Sequence, residues 1–288
     1  MFAQFRPSGQ PTHYAWFRER VRSLVPGLAR MFPAGEVAVL RLHGPIVGGG
    51  RSADLTELAR HLRESRRVPA VVLDIDSPGG SATASDDLFL AFQRLAAKKP
   101  VVASIRGTGA SGAYLAAMAA QRLLANPTGV VGSIGVISAS PRLVKLLERA
   151  GVEVSETRAG RLKGMGAPWR EESPEEHDKE QQVIEAFYAS FVRRVAAGRG
   201  LSEERVRELA TGEVWLGEQA LELGLVDEVG DLERAIEVAA ELAHVPARGA
   251  PVRLRRPFLA RLVDRFAGRA ATALADQVEL RFWDRFRF

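Results

Sequence analysis

The chain has no cysteine among its 288 residues. That excludes disulfides, thiol catalysis and cysteine metal clusters, while leaving the compartment open. Lysine is almost as scarce. Lys98, Lys99, Lys145, Lys163 and Lys179 are five of forty basic residues, and the other thirty-five are arginine. Histidine occurs five times, at His13, His43, His61, His177 and His244. No apolar run approaches the roughly 20 residues that span a bilayer, and the first residues lack the apolar core and cleavage site of a secretory signal. Internal repeats are also missing. What remains, 46% hydrophobic and 26% charged, suits one sizeable α/β domain with additions.

Two short segments share one design. Asp76-Ser77-Pro78-Gly79-Gly80 follows Val71-Val72-Leu73-Asp74-Ile75, an apolar, β-branched run of strand length, and leads into a helical stretch from about Ala84 to Ala97. Gly109-Ala110-Ser111-Gly112-Ala113-Tyr114 follows Val101-Val102-Ala103-Ser104-Ile105 and leads into helical residues through Ala120. Ser111 thus falls at a helix N-terminus, where the dipole favours developing negative charge, and the glycines expose backbone N–H groups. Taken alone, either segment is also explained by an N-cap serine and turn glycines.

Further strand patterns run over Val37 to Leu42, Ala70 to Ile75, Leu123 to Ala125, Val130 to Ile137 and Val152 to Glu156. Helix-length stretches at Ala53 to Glu64, Asp86 to Ala97 and Ser111 to Ala120 separate several of them. This predicts right-handed strand-helix-strand units and a predominantly parallel sheet. Ser173-Pro174-Glu175-Glu176 predicts a capped start to a long helix reaching Ala197, ended by Gly198-Arg199-Gly200. A short helix from Leu201 through Leu209, a strand at Trp215 and a helix from Leu232 to Ala243 complete the pattern.

In an arginine background a lysine calls for its own reason, and one is that lysine loses its proton when desolvated whereas arginine does not. Lys98 and Lys99 end a helix before Pro100, and Lys145 and Lys179 fall on charged helical faces. Lys163 lies in Ala159-Gly160-Arg161-Leu162-Lys163-Gly164-Met165-Gly166-Ala167-Pro168, a glycine-rich loop with no helical face to decorate. It is the candidate general base. The histidines suit a Ser-His-Asp triad poorly. His13 and His244 are near the ends, and His61 and His177 sit among charges on helices. His43, before Gly44-Pro45 in a turn, stays open as an alternative. In serine-lysine chemistry a neutral amine takes the serine proton during attack, returns it to the leaving amine, and then activates the water that hydrolyses the acyl-enzyme. A lysine used this way must ionise well below the ordinary value of about 10.4, which burial achieves.

The order of these segments resembles the bacterial signal peptide peptidases of the short form, serine-lysine proteases on the ClpP/crotonase fold. The resemblance runs from about Val37 to Leu232. It includes Asp76 to Gly80, Ala110 to Ala120, Gly132-Ser133-Ile134-Gly135-Val136, the Lys163 loop, and Trp215-Leu216-Gly217 with Ala220 to Asp227. It implies Ser111 as nucleophile, Lys163 as general base, Gly80 and Gly112 as oxyanion-hole amides, and Ser133 as the residue that orients Lys163. It further implies a homo-oligomer, peptide substrates such as remnant signal peptides or other hydrophobic segments, and no cofactor or metal. Asp76 stands where related proteases often have asparagine. A catalytically silent scaffold and a crotonase-like acyl-CoA hydratase or isomerase are the alternatives on the same fold.

Charge divides the chain into three expected parts. Residues 1–32 hold five arginines and one glutamate, and residues 248–288 hold ten arginines and four acids, which leaves −5 for the middle of a chain of net +5. A basic amphipathic arm over 1–34, a catalytic domain over 35–247 and a basic, aromatic extension over 248–288 are expected. Such ends suit peripheral contact with anionic membranes, in the cytoplasm or on the inner membrane, or packing on the domain or on another subunit, better than nucleic acid, for which no module is seen.

Overall fold

The computed structural model describes residues 36–252. The expected basic arms, 1–34 and all but the first five residues of 248–288, lie outside them. The chain runs β1 Val37–His43, α1 Gly50–Glu64, β2 Val71–Ser77, α2 Ala82–Ala96, β3 Val101–Ala110, α3 Gly112–Ala117, β4 Arg122–Ala125, β5 Val130–Gly132, α4 Val144–Arg149, α5 Pro174–Arg199, α6 Glu203–Leu209, β6 Val214–Leu216, α7 Gly217–Glu222, β7 Glu228–Val229, α8 Leu232–Ala243 and β8 Gly249–Pro251.

These strands form one sheet in the order β6-β5-β3-β2-β1-β8, with β4 beside β3 and β7 beside β4. Only the β5–β6 pairing is antiparallel among the described strands. The mixed α/β architecture with a mostly parallel sheet is therefore present. The central strands are unbroken apolar runs because both faces are covered. Val39, Val72 and Val102 pack with Leu124 against Ala235, Val238 and Ala239 of α8. The alternate set, Leu40, Leu73, Ile75, Ala103 and Ile105, is buried on the opposite face.

β3 does most to place the site. Its lower half pairs with β4 and its upper half, Thr108 to Ala110, with β5. Between these halves it slips against β2, since Ile75 pairs with Ile105 but Ser77 with Gly109. β3 thus carries two more residues than β2 there, a bulge that re-aims the strand end. Asp76 fills the gap: its Oδ1 accepts the Thr108 N–H at 3.0 Å. A Cβ on Gly107 would come within 2.6 Å of that oxygen, so the carboxylate fits only against glycine.

Several expected boundaries move. The strand expected over Val130 to Ile137 stops at Gly132, because Gly132 (φ 109°) and Ser133 (φ 50°) turn the chain out of extended geometry. Val152 to Glu156 is not a strand; it is exposed and no neighbouring strand satisfies its backbone. α4, which sequence periodicity does not reveal, has no buried residue. Beyond the expected domain edge at 247, β8 joins β1, with Gly249 opposite Val37 and Pro251 opposite Val39, an edge position that tolerates proline. The long helix forms as its sequence requires: Ser173 and Glu176 close a capping box, Pro174 opens the first turn, and Gly200 at φ 65° ends it.

Candidate active site

Ser111 sits at the joint of β3 and α3 with φ 51° and ψ −124°. A non-glycine residue keeps such a backbone only where its surroundings fix it. Its N–H donates to the Gly132 carbonyl at 2.8 Å, and its carbonyl accepts the Leu115 N–H at 2.9 Å. Gly79, at φ 90°, lies flat against the turn. A Cβ there would stand 2.6 Å from the Gly112 nitrogen, 2.8 Å from the Ala110 oxygen and 2.9 Å from the Ser111 Cβ. A sharp strand-to-helix turn of this kind presents a serine hydroxyl as a nucleophile elbow does. Among the described residues, the Ser111 hydroxyl has no hydrogen-bond partner.

Two amides border the same space. The Gly112 N–H opens α3, where no intrahelical acceptor exists. Around Gly80, Ile46 N–H donates to the Gly79 carbonyl and Ser81 N–H to the Ile46 carbonyl, both at 2.7 Å. That short parallel bridge occupies the neighbours of the Gly80 amide and leaves the amide itself without an acceptor among the described residues. A Cβ on Gly112 would lie 3.6 Å from the Gly80 nitrogen, so the two residues are close neighbours. Paired, rigid, unoccupied N–H groups beside a hydroxyl can stabilise an oxyanion.

Ser133 occupies the matching place on the next strand. Ala110 pairs with Gly132, so Ser133 follows β5 as Ser111 follows β3, and its φ of 50° nearly equals that of Ser111. Its N–H donates to the Glu213 carbonyl at 2.6 Å. Sequence motifs mark both serines but not their shared left-handed backbone.

Lys163 is not hydrogen-bonded to either serine among the described residues. It is exposed, in a turn where its N–H donates to the Gly160 carbonyl at 3.1 Å. Among the described residues, its amine has no hydrogen-bond or ion-pair partner, so the expected contact with Ser133 is not formed within the single chain. His43 does have a carboxylate partner, as a triad histidine would. Its Nε2, however, lies 3.1 Å from Asp74 and 3.0 Å from Arg106. Asp74 is fully buried and also accepts Arg106 Nη2 at 2.8 Å, so His43 belongs to that cluster and not to Ser111.

The model of peptidase family S49 matches residues 93–246, more than half of the chain and a span that takes in Ser111, Ser133 and Lys163. The chain belongs to peptidase family S49. A Synechocystis sp. protein that carries the name putative protease is 40% identical over 208 residues, covering 72% of this chain and 74% of its own. The chloroplastic serine protease SPPA of Arabidopsis thaliana is 37% identical over 213 residues, 73% of this chain but 32% of its own. Protease 4 of Salmonella typhi is 36% identical over 219 residues, 73% of this chain and 35% of its own. The S49 chain described here is a serine protease and resembles the signal peptide peptidase type. It spans about a third of the Arabidopsis and Salmonella proteins.

Proposed function

We propose that the protein is an endopeptidase that cleaves hydrophobic peptides, remnant signal peptides among them, through an acyl-enzyme on Ser111 with Lys163 as general base. The observation that carries this reading is the Ser111 turn, with its free hydroxyl and the unoccupied amides of the neighbouring Gly80 and Gly112. As Ser111 Oγ attacks the scissile carbonyl, its proton passes to the neutral Lys163 amine. The oxyanion is held by the two amides, the leaving amine takes the proton from lysine, and water deprotonated by Lys163 hydrolyses the ester. Ser133, beside Ser111 on the adjacent strand, orients the amine.

For proton transfer Lys163 must come within hydrogen-bond reach of Ser111. The stretch that carries it, 137–172, turns Ile137, Leu146, Val152 and Val154 to solvent, at 90%, 62%, 49% and 46% exposure. Apolar side chains so displayed support burial against a second copy of the chain, and hence a homo-oligomer in which the site is completed. The signal peptide peptidase resemblance supports the substrate class.

Ser111→Ala and Lys163→Ala should each lower peptide hydrolysis by orders of magnitude with the fold intact, and the double variant should be little worse than either. Lys163→Arg should match Lys163→Ala, because guanidinium keeps its proton. Labelling of Ser111 by a serine-reactive phosphonate separates this reading from a silent scaffold or a hydratase, neither of which needs an activated serine. Full activity in Lys163→Arg at neutral pH would show that Lys163 supplies only charge.

A further inference from the structure

The loop that carries Lys163 is built more firmly than its exposure suggests, and Arg170 is what builds it. Arg170 Nη2 donates to the carbonyl of Gly164, the residue after Lys163, at 2.8 Å. The same guanidinium engages both carboxylate oxygens of Glu176, one of them through Nη1 at 2.8 Å. Its Nη1 also donates to the Glu171 carbonyl at 3.1 Å. Glu176 is buried at 3% exposure and is fixed in turn by the Ser173 N–H at 3.0 Å and the Ser173 hydroxyl at 3.1 Å. From the other side Glu156 accepts the Trp169 indole N–H at 3.1 Å and closes on Gly164. Gly164 has φ 129°, and a Cβ on it would be 2.7 Å from the Glu156 carboxylate. The first turn of α5 is thus tied through two side chains to the backbone next to Lys163.

A helix cap alone does not need this. A capping-box glutamate reaches back to its own N-cap amide and is usually at the surface. Here the carboxylate is buried, and it binds an arginine that also donates to the Gly164 carbonyl earlier in the same connection. The bidentate pairing fixes the guanidinium plane, and so the position of the Gly164 carbonyl, more narrowly than a lysine ammonium would.

We propose that Arg170, clamped by Glu176, is a positioning residue for the general base: it sets the backbone from which Lys163 reaches Ser111. The proposal rests on Lys163 being that base. A misplacement of about 1 Å costs on the order of 100-fold in rate. Arg170→Met in the full chain should therefore lower kcat roughly 10- to 100-fold while KM changes less than about 3-fold. Arg170→Lys, which keeps charge and one donor, should recover part of that loss.

Steady-state kinetics on a fluorogenic peptide test this, with Lys163→Ala and Arg142→Met alongside. Arg142 pairs with Glu172 on the same stretch but does not touch Gly164, so its loss reports general loosening. A wild-type kcat in Arg170→Met beside an inactive Lys163→Ala overturns the positioning role and leaves the dyad standing. Equal kcat losses in Arg170→Met and Arg142→Met also overturn it. Retained activity in Lys163→Ala removes the dyad, and the positioning role falls with it. If Arg170→Met does not fold, Glu176→Gln, which keeps the cap but not the ion pair, takes its place under the same criteria.

Discussion

Gly79 and Asp76 are not among the proposed catalytic groups, yet each shapes the chain that leads to Ser111. Gly79 supplies both a positive φ and the absence of a Cβ where the Ser111 turn presses against it. Gly79→Ala should cost about 1–3 kcal/mol in backbone strain alone. It should also abolish phosphonate labelling of Ser111, because the added methyl displaces the Gly112 amide. Normal labelling of a folded Gly79→Ala protein would refute that coupling. Asp76 holds the β3 bulge through one accepted hydrogen bond. Asp76→Asn keeps an acceptor oxygen and should leave kcat within about 3-fold of wild type. Asp76→Ala removes the acceptor of the Thr108 amide, an exposed bond worth about 0.5–1.5 kcal/mol, and should lower the thermal midpoint slightly. Chemical denaturation of the two variants distinguishes an acceptor role from a charge role.

At the scale of elements, the start of α5 and the Lys163 loop behave as one unit. The Arg170 guanidinium and then the Ser173 amide hold the Glu176 carboxyl down to about 2. The folded state thus binds the ionised form, and its stabilisation is complete above the ordinary value of 4.5 and lost as pH falls from there towards about 2. Glu172, held low by Arg142, shifts in the same direction. Amide hydrogen exchange across 160–176 should accelerate over that acid window. The acceleration should be blunted in Glu176→Gln, whose side chain has no proton to gain. Exchange unaffected by pH in the wild type, beyond the intrinsic chemical rate, would separate the carboxylate from loop order.

Across the whole molecule, the lack of a hydrogen bond between Lys163 and Ser111 among the described residues makes assembly a matter of activity. Mixing inactive Ser111→Ala and Lys163→Ala proteins under conditions of subunit exchange should restore part of the hydrolysis if each site draws on two copies. Ile137→Asp should weaken both association and activity while leaving the sheet folded, as read by sedimentation and circular dichroism. Unchanged sedimentation with full activity would mean that the exposed apolar stretch serves another contact. Among the described residues no helix is long and apolar enough to cross a membrane. For the arginine-rich ends, binding to anionic vesicles that weakens with salt is the expected outcome, at about 1 kcal/mol per engaged arginine. Equal sedimentation with neutral vesicles would count against it.

The sequence by itself determined the alternation of strands and helices, because apolar runs buried on both faces and capped helix starts such as Ser173-Pro174 are local signals. It also singled out Ser111 and Lys163, since glycine punctuation and a rare residue type are legible in one dimension, whereas Gly80 and Gly112 were implied by the family resemblance. Tertiary structure alone decided what depends on neighbours. The strand pattern at Val152 to Glu156 found no partner, and β8 formed only because β1 offered an edge to a three-residue segment. The φ of 51° at Ser111 is imposed by β5 and Gly79, which lie far from it in sequence. Arg170 looks like an ordinary charged residue until a loop carbonyl comes within reach, and the motif that marks Asp76 does not show the bulge it holds. Hydrophobic periodicity fixes which side of an element is buried, but the atoms that approach a given backbone amide are set by packing between distant segments, and no local pattern encodes that.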